Sequence, residues 1–184
     1  MYLSIDVGIK NLAYIAYENE SIIDWKVLEL CDTSVNANKV NLIDLGKKIH
    51  ILFEKEFAGK YFKEVIIENQ IGPMAIRMKT IQGMITMYFI NKGSDVVYWN
   101  AVHKLKMFIP KTNKTKTTYP QRKKLSIAVT KCIISEFYKT YEDYFMTHKK
   151  KDDLADCFLQ LLNYLFKKGE INENIFTNAI NIKL

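Results

Sequence analysis

Residues 149–160, Lys149-Lys150-Lys151-Asp152-Asp153-Leu154-Ala155-Asp156-Cys157-Phe158-Leu159-Gln160, restrict the fold more than any other stretch of the chain. Three carboxylates lie within five residues, behind three lysines, and Leu154, Phe158, Leu161, Leu162 and Leu165 continue the pattern. That apolar spacing is helical and predicts a helix from about Asp152 to Phe166. On it Asp153 and Asp156 are i,i+3 neighbours and share one face. Asp152 suits the N-cap or first turn, where a carboxylate meets the helix dipole. Acids at a helix start need no more than that dipole. Here, however, Leu154, Ala155, Cys157 and Phe158 flank the pair, so the helix is expected to be largely buried. Two like charges on its margin repel unless a cation or a proton relieves them.

The chain has 184 residues, enough for one domain (1–184) with a substantial core. No apolar run reaches the ~18 residues of a membrane span. The N-terminal Met1-Tyr2-Leu3-Ser4-Ile5-Asp6 meets an acid at once, unlike a signal peptide. Cys31, Cys132 and Cys157 are odd in number without CxxC spacing, so they read as reduced intracellular thiols rather than a disulfide frame or zinc site. A soluble, intracellular protein is expected. The net charge is +7, and from Val96 to Ser135 there is no acid. That window carries Lys104, Lys106, Lys111, Lys114, Lys116, Arg122, Lys123, Lys124 and Lys131. A polyanion is its natural partner, nucleic acid first and an anionic membrane second; a solvated lysine-rich face is the plain alternative.

Alternating apolar residues predict strands over 2–7, 11–17 and 21–30, with Gly8-Ile9-Lys10-Asn11 as the first turn, forming an antiparallel meander. Leu42, Leu45, Ile49, Leu52 and Phe53 give a helix from about Val40 to Phe57 one apolar stripe. The strand 63–68 contains Val65-Ile66-Ile67, a β-branched run suited to the parallel part of a sheet, and ends on Glu68. A helix over 74–90 follows. It is apolar around most of its circumference and rich in methionine, which suits core packing on one side and a dimer surface on the other. Strand 95–99, a short helix over 101–108, a basic loop, a helix from Tyr119 to about Tyr138 and a loop over 142–150 complete the chain.

The predicted order is β-β-β-α-β-α-β-α-α: three antiparallel strands, then two parallel, flanked by helices. Asp6 ends the first strand, Glu68 the fourth, and Asp153 and Asp156 open the last helix. When the first and fourth strands are neighbours, their carboxyl ends form the crevice where α/β proteins place ligands. Carboxylates gathered there require divalent cations, and oxygen ligands open to water suit Mg²⁺ or Mn²⁺ rather than Zn²⁺. Two such ions ~4 Å apart activate a water and stabilise the leaving oxygen of a phosphodiester.

Three segments carry a resemblance: Ser-Ile-Asp6-Val-Gly8-Ile-Lys10-Asn11-Leu-Ala13, Ile-Ile-Glu68-Asn-Gln70, and Lys150-Lys151-Asp152-Asp153-Leu-Ala155-Asp156. In order and spacing they are similar to the active-site motifs of RuvC-type Holliday junction resolvases, most of all the poxvirus branch and its yeast mitochondrial relatives. The resemblance covers roughly residues 1–168. It implies an RNase H-like fold, a homodimer, and Mg²⁺ (or Mn²⁺) dependence with two ions per site. It also implies paired symmetric nicks across a four-way DNA junction. If the viral branch applies, the work is replication, recombination and concatemer processing in a cytoplasmic viral compartment. Carried over, Asp6, Glu68, Asp153 and Asp156 are the metal ligands. Lys104 and Lys106 compete for the lysine near the scissile phosphate, with Lys106 slightly favoured. Lys10, Asn11, Gln70, Arg122, Lys123, Lys124, Lys150 and Lys151 are candidate DNA contacts. The aromatic wedge that some members carry after the second acid is represented here only by Ile71.

Other readings have features that separate them. Asp-x-Gly also opens sugar kinases and actin-like ATPases, but those need a second domain and a second glycine-rich loop, and this chain has 7 glycines. A binding module with a relic site would lack cleavage under any metal. A ribonuclease acting on RNA–DNA hybrids would share the fold and the ions. Lys10 and Asn11 also serve simply as turn residues, His103 and His148 as phosphate contacts or bystanders, and Tyr119, Tyr138, Tyr141 and Tyr144 as base-stacking or packing residues.

Overall fold

The computed structural model describes residues 1–32, 34–72, 75–106, 108 and 118–179. Strands β1 (Tyr2–Asp6), β2 (Asn11–Glu18) and β3 (Ser21–Glu29) form the antiparallel meander. Gly8 lies in its first turn, where a Cβ would collide with the Asn11 carbonyl oxygen, so only glycine lets the chain reverse immediately beyond Asp6. Asn19 and Glu20 make the second reversal with φ of 48° and 59°, the left-handed pair that a two-residue hairpin needs. β4 (Glu64–Glu68) runs parallel to β1, with Ser4 opposite Ile66 and Ile5 opposite Ile67, and β5 (Asp95–Trp99) runs parallel to β4. The sheet order is β3-β2-β1-β4-β5. Val65, Ile66 and Ile67 are fully buried, as a run covered on both faces should be.

Helices α1 (Leu42–Glu56) and α2 (Ile76–Asn91) cover one face, packed with Leu3, Ile5, Val65 and Ile67. The other face carries α4 (Tyr119–Phe137) and α6 (Lys151–Lys168), packed with Ile15, Trp25 and Ile66. Local chemistry fixes the ends. The Asn41 side chain accepts from the Ile43 and Asp44 amides, Thr118 and Gln121 form a capping box, and Gly169 closes α6 at φ 76°. The apolar face of α6, from Leu154 through Phe158 and Leu161 to Leu165, is buried, at about 1.5–3 kcal/mol for each large side chain removed from water.

Two local expectations are corrected. Glu142 to Lys150, read as a loop, contains helix α5 (Glu142–Thr147), because Phe145 is buried and stacks on Trp25 at 5.5 Å and 8°. Six residues are too few for periodicity to show, and the anchor is tertiary. The helix expected over 101–108 is the single turn α3 (Val102–Leu105). Asp152 lies in the first turn of α6, one of the two places expected for it, behind Lys150 at the N-cap. Met74 and the lysines Lys111, Lys114 and Lys116 lie outside the described residues.

The period of two along the strands sorts side chains between the layers. Leu3 and Ile5 face α1 and α2, whereas Ser4, Asp6, Glu64, Ile66 and Glu68 face α6. At the start of β4, Glu64 accepts from the Tyr164 hydroxyl at 2.6 Å and pairs with Lys168, locking the last turns of α6 to the sheet. Burial alone would raise the Glu64 pKa, but the hydrogen bonds from Lys168 and Tyr164 outweigh it and hold the carboxyl below its ordinary value. A depressed carboxylate contributes stability above its unfolded pKa and loses it as pH falls through the folded one. Glu64→Leu is therefore expected to cost about 2 kcal/mol at pH 7, the scale for stranding buried partners, with the deficit shrinking in acid. Urea melts at pH 7 and below pH 4 check it.

Candidate active site

Parallel pairing of β1 with β4 sets their carboxyl ends side by side, so Asp6 and Glu68, each at a strand end, face α6 together. Asp156, in the second turn of α6, meets them from above. α3, directly after β5, brings in Lys104. The Lys104 Nζ lies 3.3 Å from Glu68 Oε2, 3.6 Å from Asp156 Oδ2 and 3.9 Å from Asp6 Oδ1. Lys104 is only 5% exposed, a buried ammonium at the meeting point of three carboxylates.

Electrostatics follow from that arrangement. Burial pushes the Asp6 carboxyl well above its usual range; Lys104 opposes the shift, and the hydrogen bond and charge of Glu68 add to it. Asp156 is raised by burial too, against the pull of Lys104. For Glu68 burial is outweighed by the hydrogen bond from Asp6 and by Lys104, and its pKa falls. Lys104 is raised despite its burial, through Asp6, Asp156 and Glu68. The Lys104 ammonium thus relieves part of the clustered charge, and burial favours the neutral forms of Asp6 and Asp156.

Not every residue read from the sequence joins this cluster. Among the described residues, the carboxylates within 4 Å of Lys104 Nζ are Asp6, Glu68 and Asp156. Asp153, one turn earlier on α6, is partly buried, and its carboxyl is raised by burial and then by Asp152. The slight preference for Lys106 over Lys104 is not matched by position: Lys106 is exposed, while Lys104 touches the acids. Lys123 pairs with Asp152 and lies 5.1 Å above the Tyr119 ring. With Arg122 and Tyr119 it lines a cleft of about 230 Å³ that opens onto Glu68, Lys104 and Asp156. Lys124 and Lys150 are exposed, and Lys151 donates to the His148 carbonyl at 3.1 Å. The Lys10 carbonyl accepts from Leu30, holding the turn beyond Asp6, and Asn11 opens β2. The Gln70 backbone N–H donates to Gln82 Oε1 at 3.1 Å. The Lys123–Asp152 pair was not read from the sequence, where 29 residues separate the partners.

The donor set fits a hard divalent cation in chemistry, since it offers carboxylate oxygens and no thiolate or imidazole. Among the described residues no three His, Cys, Asp or Glu side chains close on a ready metal cage. The point where three carboxylates converge holds the Lys104 ammonium instead. The ammonium at that point shows that the three carboxylates together accommodate positive charge.

The chain resembles known proteins in sequence and in fold. The family model described as Poxvirus A22 protein matches residues 1–168. An uncharacterised mimivirus protein, L451 of Acanthamoeba polyphaga mimivirus, is 30% identical over 139 residues; the match covers 66% of this chain but only 33% of that relative's length. The Holliday junction resolvase of Fowlpox virus (strain NVSL) is 29% identical over 177 residues, covering 93% of this chain and 97% of the relative. Among solved structures, the yeast mitochondrial Holliday junction resolvase Ydc2 superposes with TM-score 0.63 at 17% identity, over 92% of this chain and 80% of that one. Thermus thermophilus RuvC does so with TM-score 0.56 at 12% identity, over 91% and 96%. Likenesses at such identities speak for the fold: the RNase H-like sheet expected from the motifs is present.

Proposed function

We infer that this chain, which belongs to the Poxvirus A22 protein family, is a divalent-metal-dependent endonuclease that resolves four-way DNA junctions by paired nicks. The observation that carries the reading is the convergence of Asp6, Glu68 and Asp156 on the buried Lys104, in a chain similar over 93% of its length to a Holliday junction resolvase. Asp6, Glu68 and Asp156, with Asp153 at the rim, would hold two Mg²⁺ (or Mn²⁺). Such ions, when bound, activate a water and stabilise the leaving oxygen. The chain's own residues do the rest. Lys104 presents positive charge beside the carboxylates, where charge develops on the scissile phosphate. Tyr119, Arg122 and Lys123 wall the cleft that receives the cut strand. Lys106, Lys124, Lys150 and Lys151, with Lys10, Asn11 and Gln70 around the β1 and β4 ends, meet the DNA backbone, where contacts position rather than specify.

A junction presents two equivalent strands, which a two-fold dimer cuts one per subunit. We place the dimer contact on α2. Its Ile76, Thr80, Gly83, Met87 and Ile90 are spaced four and three apart, as in a helix–helix seam. Ile76 is 68%, Met87 54% and Ile90 49% exposed, and a Cβ on Gly83 would have open space before it. Met87→Glu puts a charge in that seam and is expected to weaken self-association by about 100-fold, the scale of a central hot spot, so that sedimentation shows a monomer at micromolar concentration. Branched DNA made during viral genome replication and recombination fits as the substrate, and the chain works as one nuclease domain.

The test is a strand-labelled synthetic four-way junction, with linear duplex and RNA–DNA hybrid alongside, in Mg²⁺ and in EDTA. Symmetric ligatable nicks on the junction only, lost in EDTA, are expected. Cutting of the hybrid alone would make the protein a ribonuclease of the same fold. Tight junction binding without cutting under any metal would make it a binding module.

A further inference from the structure

We propose that Gln160 is the positioning residue of the carboxylate site, setting the height and rotation of α6 on the sheet so that Asp156 meets Asp6 and Glu68. Gln160 is fully buried in a helix whose neighbouring positions, Leu154 to Leu165, are almost all apolar. An amide there must be satisfied or it opposes folding. Its Nε2 lies 3.0 Å from Ser4 Oγ, 3.1 Å from the Ile5 carbonyl and 3.2 Å from the Ile66 carbonyl. One amide thus bridges α6 to both parallel strands that end in catalytic acids. The Ile5 carbonyl belongs to the peptide unit that leads into Asp6, and the Ile66 carbonyl lies two residues before Glu68. Ser4 closes the bracket by donating to the Cys157 carbonyl of α6 at 2.9 Å.

Helix geometry supplies the other half of the argument. Asp156 and Gln160 are i,i+4 neighbours on one face of α6, so whatever fixes Gln160 on the strands fixes Asp156 one turn nearer the strand ends. Among the described residues Gln160 Oε1 is buried without a partner, and Nε2 has two hydrogens for three acceptors. Packing alone would favour leucine or methionine at such a place. A polar group kept there at a cost in stability, and spent wholly on these strands, is explained by the register it enforces. Groups that orient metal ligands from behind have this character.

The inference rests on the metal-site reading above, so its test reads metal binding apart from cleavage. Mn²⁺ is titrated calorimetrically into the full chain without DNA, for the parent and for Gln160→Met, which keeps the volume and removes the donors. Melting midpoints and junction binding in EDTA are recorded in parallel. The expected result is Mn²⁺ affinity weakened by about 10-fold or more, with the melting midpoint and metal-free junction binding retained. Unchanged Mn²⁺ affinity in a folded Gln160→Met protein would overturn the proposal. Should that variant unfold, Ser4→Ala decides: it removes one of the three contacts and is expected to weaken Mn²⁺ by about 2–3-fold, and no change would overturn the proposal. A parent that binds Mn²⁺ but cuts no junction would defeat the resolvase reading and leave this inference supported by the affinity shift. A parent that binds no Mn²⁺ would overturn both.

Discussion

Asp6→Asn is expected to reduce junction cleavage by about 10³-fold or more at saturating Mg²⁺, the scale on which a buried electrostatic partner of a transition state is lost. The same substitution is expected to raise the melting midpoint of the metal-free protein at neutral pH. The shapes of the two side chains match, so the core is undisturbed, but one of three clustered carboxylates loses its charge. The direction of the stability change follows from linkage. Burial raises the Asp6 pKa in the folded protein above its unfolded value, so the folded state binds more protons than the unfolded state between the two. Stability contributed by this group therefore falls as pH rises through that window, and at neutral pH Asp6 opposes folding. Asparagine lacks the titration, so its advantage grows from acid to neutral pH and vanishes below the unfolded pKa. Added Mg²⁺ reverses the ranking by stabilising the parent more than the variant. Single-turnover cleavage of a labelled junction and thermal melts in EDTA between pH 4 and pH 8 provide both readings. Cleavage within tenfold of the parent would remove Asp6 from the metal ligands.

Much of this arrangement is legible in the sequence because it depends on short-range periodicity. A period of two sends Asp6 and Glu68 to the same face as Ser4 and Ile66, and β-branched residues in β4 mark it as a central parallel strand. The apolar spacing of α6 places Asp156 on the margin of a buried helix. What escapes is what depends on docking. Lys104 and Lys106 are two apart in and beside a single helical turn, so they point to nearly opposite sides, and the pattern of α3 does not say which side meets the sheet. The answer comes from how α3 packs against α6, which buries Lys104 and leaves Lys106 in solvent. The i,i+3 spacing separates Asp153, on the face of Asp156, from Asp152 in the first turn, but it does not show the partner that Asp152 meets. That partner is Lys123 on α4. Helix α5 is hidden for the same reason, since Phe145 finds its partner Trp25 on a strand far back in the chain. Gln160 is visible in the sequence as an amide flanked by leucines in a helix expected to be buried, but which backbone groups it meets depends on docking.

Lys104→Met is expected to abolish detectable cleavage and, without metal, to lower stability at pH 7 by about 3–5 kcal/mol, the range for removing one partner of a buried charge pair. In the parent the ammonium neutralises part of the charge of Asp6, Glu68 and Asp156. Methionine fills similar volume but leaves these acids facing one another in a low dielectric. The loss should shrink as pH falls, because Asp6 and Asp156, both raised, take up protons and relieve the repulsion. The lysine itself does not titrate in this range. Its folded pKa lies above the unfolded value of 10.5, so its contribution is complete below that value and is lost only as pH climbs through the folded one. Divalent metal supplies the missing charge, so Mg²⁺ should restore most of the lost stability, and Mn²⁺ should bind the variant more tightly than the parent because no ammonium competes for the carboxylates. That combination separates two roles of one side chain. A merely structural lysine would regain cleavage along with stability once metal is added. A lysine that also stabilises charge on the scissile phosphate leaves a folded, metal-loaded protein that binds the junction and does not cut it. Calorimetric Mn²⁺ titration, melts with and without Mg²⁺, and the junction assay on the same preparation decide the matter. A metal-free melting midpoint equal to the parent's would show that the three acids never needed the ammonium.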